Sequence, residues 1–284
     1  MMKTISFNDL KDKVCVITGG AGIIGRAIVE GLAGVGVRTA IVDINIEMAQ
    51  QVAGEIEQQY NTETIGIQAD VLSPESLEVA RDHIHEKFGM TDILINGAGG
   101  NSPRATTQVE FIEEINLNEL EKTFFGLDIG GFDWVFDLNF KGTLLPTMIF
   151  ARDMIERGNG VVLNISSMNS YKPLTKIPAY SAAKAAINNF TQWLAVHFAK
   201  MNIRVNAIAP GFFLTQQNRF LLIDETTGKP TPRGNKIIAN TPMGRYGQTE
   251  ELQGTVLYLL SDISKFVTGV VIPVDGGYSA YGGV

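Results

Sequence analysis

Short, almost continuously apolar runs alternate along the chain with longer stretches whose apolar residues recur every three or four positions. The runs at 14–18, 37–42, 64–69, 93–95, 160–165, 203–208 and 270–274 predict strands. Between them, 23–33, 46–59, 73–88, 132–157, 179–201 and 249–260 carry helical spacing. Ser73 and Pro74 suit the N-cap and first helical position of the third helix. Alternating strands and helices predict an α/β fold in three layers, a parallel sheet of about seven strands with right-handed crossovers. Strands apolar on both faces fit a sheet covered on both sides. No linker, repeat or low-complexity tract divides residues 1–284, which predicts a single domain. Two connections, 99–131 and 212–241, are longer than the alternation needs. Both follow strand C-terminal ends, where open sheets bind ligands, so these inserts are expected to form a substrate site.

Composition narrows the class. The chain is 45% hydrophobic and 19% charged, as expected of a soluble globular protein, and its net charge of −7 argues against a nucleic-acid partner. Small anions remain open to it through a local basic pocket. The one cysteine, Cys15, excludes an intrachain disulfide framework. With His83, His85 and His197 and no C-x-x-C, no metal site is expected. His83 and His85 point to different faces of their helix and are expected to be solvated. Without a signal-like leader or a bilayer-length apolar segment, a cytoplasmic protein with no membrane partner is expected.

The chemistry begins between the first strand and the first helix, where 18–25 spell TGGAGIIG. Gly20, Gly22 and Gly25 form G-x-G-x-x-G, which lets a backbone turn sharply, approach a pyrophosphate and aim helix N–H groups at it. The fold is therefore expected to be a Rossmann-like, doubly wound sheet. Its phosphate cradle comprises Gly19, Gly20, Gly22, Ile23, Ile24 and Gly25, with the close approach on Gly20 and Gly22. Asp43 follows Gly25 by 18 residues, at the end of the second strand, where a carboxylate accepts from an adenine ribose. Asp43 would repel a 2′-phosphate, and Ile44, Asn45 and the glycine loop bring no cation, so NAD is expected rather than NADP.

Tyr180 and Lys184 stand four apart and share a helix face; Ser166 and Ser167 end the preceding strand, and Asn139 lies in the helix pattern before that. A phenol titrates near 10, so acid–base work at neutral pH needs help from a neighbouring ammonium and a cationic nicotinamide. Lys184 can supply the first and NAD the second, while a serine hydroxyl holds the substrate oxygen.

With these residues in place the chain resembles the short-chain dehydrogenase/reductase family over nearly its full length. The resemblance rests on 18–25, Asp70 and Val71, NGAG at 96–99, Asn139, Ser167, YSAAK at 180–184, NAPG-like NAIAPG at 206–211 with Thr215, and VDGG at 274–277. It departs at Ile23, where the family's middle glycine belongs, and at Gly97 within the family's N-N-A-G. The resemblance implies that Asn139 organises a water relay, Ser167 orients substrate, Tyr180 is the acid/base, and Lys184 binds ribose and lowers the Tyr180 pKa. The 13-residue interval to Tyr180 selects Ser167 over Ser166. It further implies that Asp70 and Val71 flank the adenine, that Asn96, Gly97 and Ala98 support the cofactor, and that Pro210, Gly211, Phe213 and Thr215 embrace the nicotinamide. Family members are commonly homotetramers that pair their two long helices.

The first insert, the run SSMNSYKPLTK at 166–176 and the ending DGGYSAYGGV resemble a sugar-acid subgroup of that family. That implies reduction of a keto sugar acid, D-fructuronate, to its alcohol, D-mannonate. A carboxylate needs a cation and the hydroxyls need amide or hydroxyl partners. Arg104 and Arg219 are the candidate cations, with Ser167, Asn169 and Lys172 nearby. A gluconate or polyol dehydrogenase, a 3-oxoacyl reductase and a non-catalytic nicotinamide-sensing regulator are the alternatives.

Overall fold

The computed structural model describes residues 6–214, 219 and 222–283. Among them, β1 (Val14–Thr18), β2 (Arg38–Asp43), β3 (Thr64–Gln68), β4 (Ile93–Asn96), β5 (Gly160–Ile165), β6 (Ile203–Pro210) and β7 (Val271–Val274) form one sheet, in the order β3-β2-β1-β4-β5-β6-β7. Every pairing is parallel. The helices are α1 (Ile23–Gly34), α2 (Ile46–Tyr60), α3 (Pro74–Phe88), α4 (Ile129–Phe136), α5 (Gly142–Arg157), α6 (Pro178–Phe198), α7 (Pro232–Ala239) and α8 (Gln253–Leu260). Strand order reverses between β1 and β4, which opens a crevice at the carboxyl edge of this Rossmann-like sheet.

The period-2 alternation of each strand sorts its side chains into two cores. Cys15 and Ile17 of β1 and Ile41 of β2 pack with Ile28, Leu32, Ile56 and Val256 of α1, α2 and α8. Val14, Val16, Ala40 and Val42 face the other way, onto Leu77, Ile84, Phe150 and Leu194 of α3, α5 and α6. Cys15 is fully buried, and burial raises its thiol pKa far out of the reactive range. Ser73 caps α3, accepting from the Ser76 N–H, with Pro74 at the first helical position as expected. Among the described residues no helix is long and apolar enough to cross a membrane.

Three features differ from expectation. The helix predicted over 132–157 is broken by a π turn, Asp137–Lys141, between α4 and α5. Buried Asn139 sits in that turn and donates to both the Val135 and Gly100 carbonyls at 2.7 Å. Its side chain thus competes with the backbone ladder, which apolar periodicity does not register. Second, the insert 212–241 contains α7, whose N-cap Thr231 accepts from the Gly234 N–H, with Pro232 at the start. Third, His85 is part-buried and paired rather than free in solvent. Its Nε2 lies 2.7 Å from Oδ2 of Asp153, a carboxylate with no solvent exposure that also accepts from Arg81 and the Thr91 N–H.

Candidate active site

The carboxyl ends of β1, β2, β4, β5 and β6 open onto a cavity of about 1700 Å³, room for a dinucleotide and a small substrate together. Its floor is pinned by Thr18, whose hydroxyl accepts from the Gly97 and Ala98 N–H groups at 3.1 and 3.2 Å. Gly19 adopts φ +66°, and a Cβ there would lie 2.8 Å from the Ala98 Cα. A Cβ on Gly25 would lie 2.4 Å from the Gly19 carbonyl oxygen, so α1 packs down onto the turn only without one.

Gly19, Gly22, Ile23, Ile24 and Gly25 line the cavity, and Gly22 is the N-cap of α1. Gly20 does not line it, contrary to expectation. Its α-hydrogen faces the core, where a Cβ would sit 2.8 Å from the Ile17 Cγ2. Gly19 and Gly22 are the glycines of this turn that reach the cavity floor together with Gly25, and Ile23 is accommodated on its wall. Asp43 accepts from the Ala21 and Asn45 N–H groups at 3.3 and 3.1 Å, which holds its carboxylate at the rim beside Ile44. Asp70, Val71, Gly97, Ala98, Pro210, Gly211 and Phe213 complete this half. Asn96 is absent from the lining. It is buried behind the edge, donating to Thr147 and Asn164 at 2.9 and 2.8 Å, so it braces strands. Thr215 lies outside the described residues. A glycine floor that excludes Cβ atoms, unpaired helix N–H groups and a carboxylate at the β2 end fit a dinucleotide.

Across the cavity, Tyr180 and Lys184 stand one turn apart on α6, with the Lys184 Nζ 5.6 Å from the Tyr180 ring centroid. Lys184 is buried, its Nζ donates to the Ile165 carbonyl at 2.8 Å, and burial lowers its pKa to about 8. Burial raises the Tyr180 pKa, opposed by a hydrogen bond with Ser167. The Lys184 ammonium directs its hydrogen bond to β5. Ser167 and Ser166 both line the cavity, but the Ser166 hydroxyl is engaged by Asn188 at 2.5 Å. Ser167 is therefore the serine coupled to Tyr180.

Asn139 does not line the cavity, yet it borders it. Its Oδ1 accepts from the Gly100 N–H, and a Cβ on Gly99 would lie 2.6 Å from that oxygen and 3.3 Å from the Lys184 Nζ. Asn139 and Lys184 thus converge on one glycine.

The two arginines expected to meet a carboxylate lie elsewhere. Arg104 is exposed, pairs with Asp128 at 2.6 Å and does not line the cavity. Arg219 is exposed and also absent from the lining. Asn169 does line it, and its buried Oδ1 has no hydrogen-bond partner. Beside the expected Lys172, the wall carries Lys176, Arg233 and Lys236, which sequence reasoning missed. Arg233 and Lys236 are three apart on α7, and the Thr231–Pro232 start of that helix was the available signal. Lys236 pairs with Glu110 at 2.5 Å, bridging the two inserts. Lys176 donates to the Gln108 carbonyl and Lys172 to that of Tyr281, each at 2.7 Å.

Known proteins are similar to this chain in sequence and fold. A family model described as short chain dehydrogenase matches residues 13–225. An uncharacterised oxidoreductase of Haemophilus influenzae is 51% identical over 284 residues, 100% of this chain and 99% of that one. A crystal structure of a provisionally assigned D-mannonate oxidoreductase from Haemophilus influenza, with bound NAD, superposes with a TM-score of 0.91. It is 52% identical and covers 97% of this chain and 98% of its own. The 2-dehydro-3-deoxy-D-gluconate 5-dehydrogenase of Escherichia coli is 32% identical over 279 residues, 97% of this chain and 99% of the relative. The chain belongs to the short-chain dehydrogenase family.

Proposed function

We propose that this chain, as one domain, is an NAD(H)-dependent oxidoreductase acting on CH–OH groups that interconverts a keto sugar acid and its secondary alcohol, D-fructuronate and D-mannonate. The observation that carries the reading is the meeting, in one cavity, of the Gly19–Gly22 floor and Asp43 with Ser167, Tyr180 and Lys184. Four cations on the substrate side, and relatives named for sugar-acid substrates, support the choice of substrate.

NAD(H) supplies or accepts the hydride when bound. The residues of the chain handle the proton and the geometry. Ser167 donates to the substrate oxygen, and Tyr180 gives that oxygen a proton in reduction or takes one in oxidation. Burial keeps Tyr180 protonated in the free enzyme, which suits it to donate. Lys184, held by the Ile165 carbonyl beside the Tyr180 ring, is placed to bind the cofactor ribose, and Asn139 fixes Gly99 and Gly100 against it. Asn169 offers an unpartnered carboxamide oxygen to a substrate hydroxyl. A homotetramer paired through α5 and α6 accords with the exposure of Met148, Ile155, Trp193 and Val196 on those helices.

The test is an NADH-oxidation screen over D-fructuronate, related keto sugar acids, neutral keto sugars and a short 3-oxoacyl thioester. Turnover is expected with the acids and to fall by about 10²-fold or more in Tyr180→Phe. Activity confined to neutral sugars or the thioester, or a fully active Tyr180→Phe, defeats the reading.

A further inference from the structure

On a chain of net charge −7, the substrate half of the cavity gathers Lys172, Lys176, Arg233 and Lys236 against the single acid Glu110. Such a cluster in a concave site concentrates anions there. Three of the four cations are already directed by protein groups. Lys236 is ion-paired with Glu110 and Lys176 is tied to the Gln108 carbonyl. Lys172 donates to the Tyr281 carbonyl with its Nζ 5.4 Å from the Tyr278 ring centroid. Of these four cations, Arg233 alone has no ion-pair or hydrogen-bond partner among the described residues. It stands in the first turn of α7, which contains no acidic residue, so its charge meets the positive end of the helix dipole uncompensated. An anionic ligand offsets that cost. In the same cavity, buried Asn169 holds its unpartnered Oδ1 two residues from Ser167, an independent sign that a polar ligand completes the site.

We propose that Arg233 binds the carboxylate of the substrate, its planar fork gripping both oxygens, and so sets the preference for sugar acids over neutral sugars. This rests on the sugar-acid reading above and assigns it to a residue of the second insert. The three lysines hold the wall in shape, and Arg233 supplies the contact that a neutral sugar does not use.

The experiment compares kcat and KM for D-fructuronate and for D-fructose, which lacks the carboxylate, in the full-length enzyme, Arg233→Gln and Arg233→Lys. Arg233 is exposed, so neither substitution disturbs the core. Loss of a charge-assisted, two-point contact is expected to raise KM for D-fructuronate roughly 10- to 100-fold. The change on D-fructose is expected to be smaller by about that factor. Arg233→Lys, which keeps the charge but not the fork, is expected to recover part of the loss. A wild type selective for the acid whose selectivity survives Arg233→Gln overturns the assignment to Arg233 and leaves the sugar-acid reading standing. A wild type that reduces D-fructose as well as D-fructuronate overturns both.

Discussion

Lys184 is buried in the folded chain, and burial moves its pKa from 10.5 to about 8. At about 1.4 kcal/mol per pH unit, that displacement corresponds to about 3 kcal/mol by which the charged ammonium destabilises the fold. Below pH 8 the penalty is present in full, because both folded and unfolded chains carry the proton. Between about pH 8 and 10.5 the unfolded chain keeps a proton that the folded chain has released, so wild-type stability rises with pH over that window. Lys184→Met removes the charge and nearly preserves the volume. It also leaves the Ile165 carbonyl without its 2.8 Å donor, a loss of about 1–2 kcal/mol. The variant is therefore expected to be more stable than wild type by about 1–2 kcal/mol at pH 7, and less stable by a similar amount at pH 10.5. Urea unfolding of both proteins at each pH, at matched protein concentration, reads the difference directly. Turnover is expected to fall in the same variant. If Lys184→Met is the less stable protein at pH 7, or the gap between the two is the same at both pH values, burial is not what displaces Lys184.

Asp43→Ala removes a carboxylate at the β2 end that accepts from two backbone N–H groups at the cavity rim. The NADH-over-NADPH ratio of kcat/KM is expected to fall roughly 10-fold or more, and a ratio unchanged within two-fold contradicts the role given to Asp43. Asp153 has no solvent exposure; burial pushes its pKa up, but the Thr91 N–H, His85 and Arg81 outweigh it and leave it lowered. A carboxyl with a lowered folded pKa stabilises above its unfolded value, near 4, and loses that contribution as pH falls through the folded value. Asp153→Ala is expected to cost about 3 kcal/mol at pH 7, with the gap to wild type closing in acid, and a gap that widens on acidification would refute it.

How much of this could be seen in the chain depended on the distance over which each feature acts. The glycine turn, the Ser73–Pro74 start and the Tyr180–Lys184 pair are local, so spacing alone places them on their elements. Asn139 is visible as a candidate, but its π turn is not, because its side chain is bonded to Gly100, 39 residues away. Arg104 reads as a substrate cation because its salt bridge to Asp128 is not visible in either local sequence. Arg233 is silent in the sequence for the converse reason: what distinguishes it is a missing partner. Spacing puts Gly20 in the turn but does not show that the space a Cβ would take there is filled by Ile17 and Ile41, the second of which meets it only once β1 and β2 are paired.

The Glu110–Lys236 bridge, with the ties from Lys176 to Gln108 and from Lys172 to Tyr281, stitches four distant stretches of chain into one wall. The opposite wall is made largely from strand ends and their adjoining turns. The two halves are thus separable units of inheritance: cofactor choice can drift through single changes at the sheet edge. A new substrate range, by contrast, has to be acquired by exchanging stretches that fit one another. Transplanting 212–241 alone into a relative would bring Lys236 without its Glu110, whereas moving it together with 99–131 carries the seam intact.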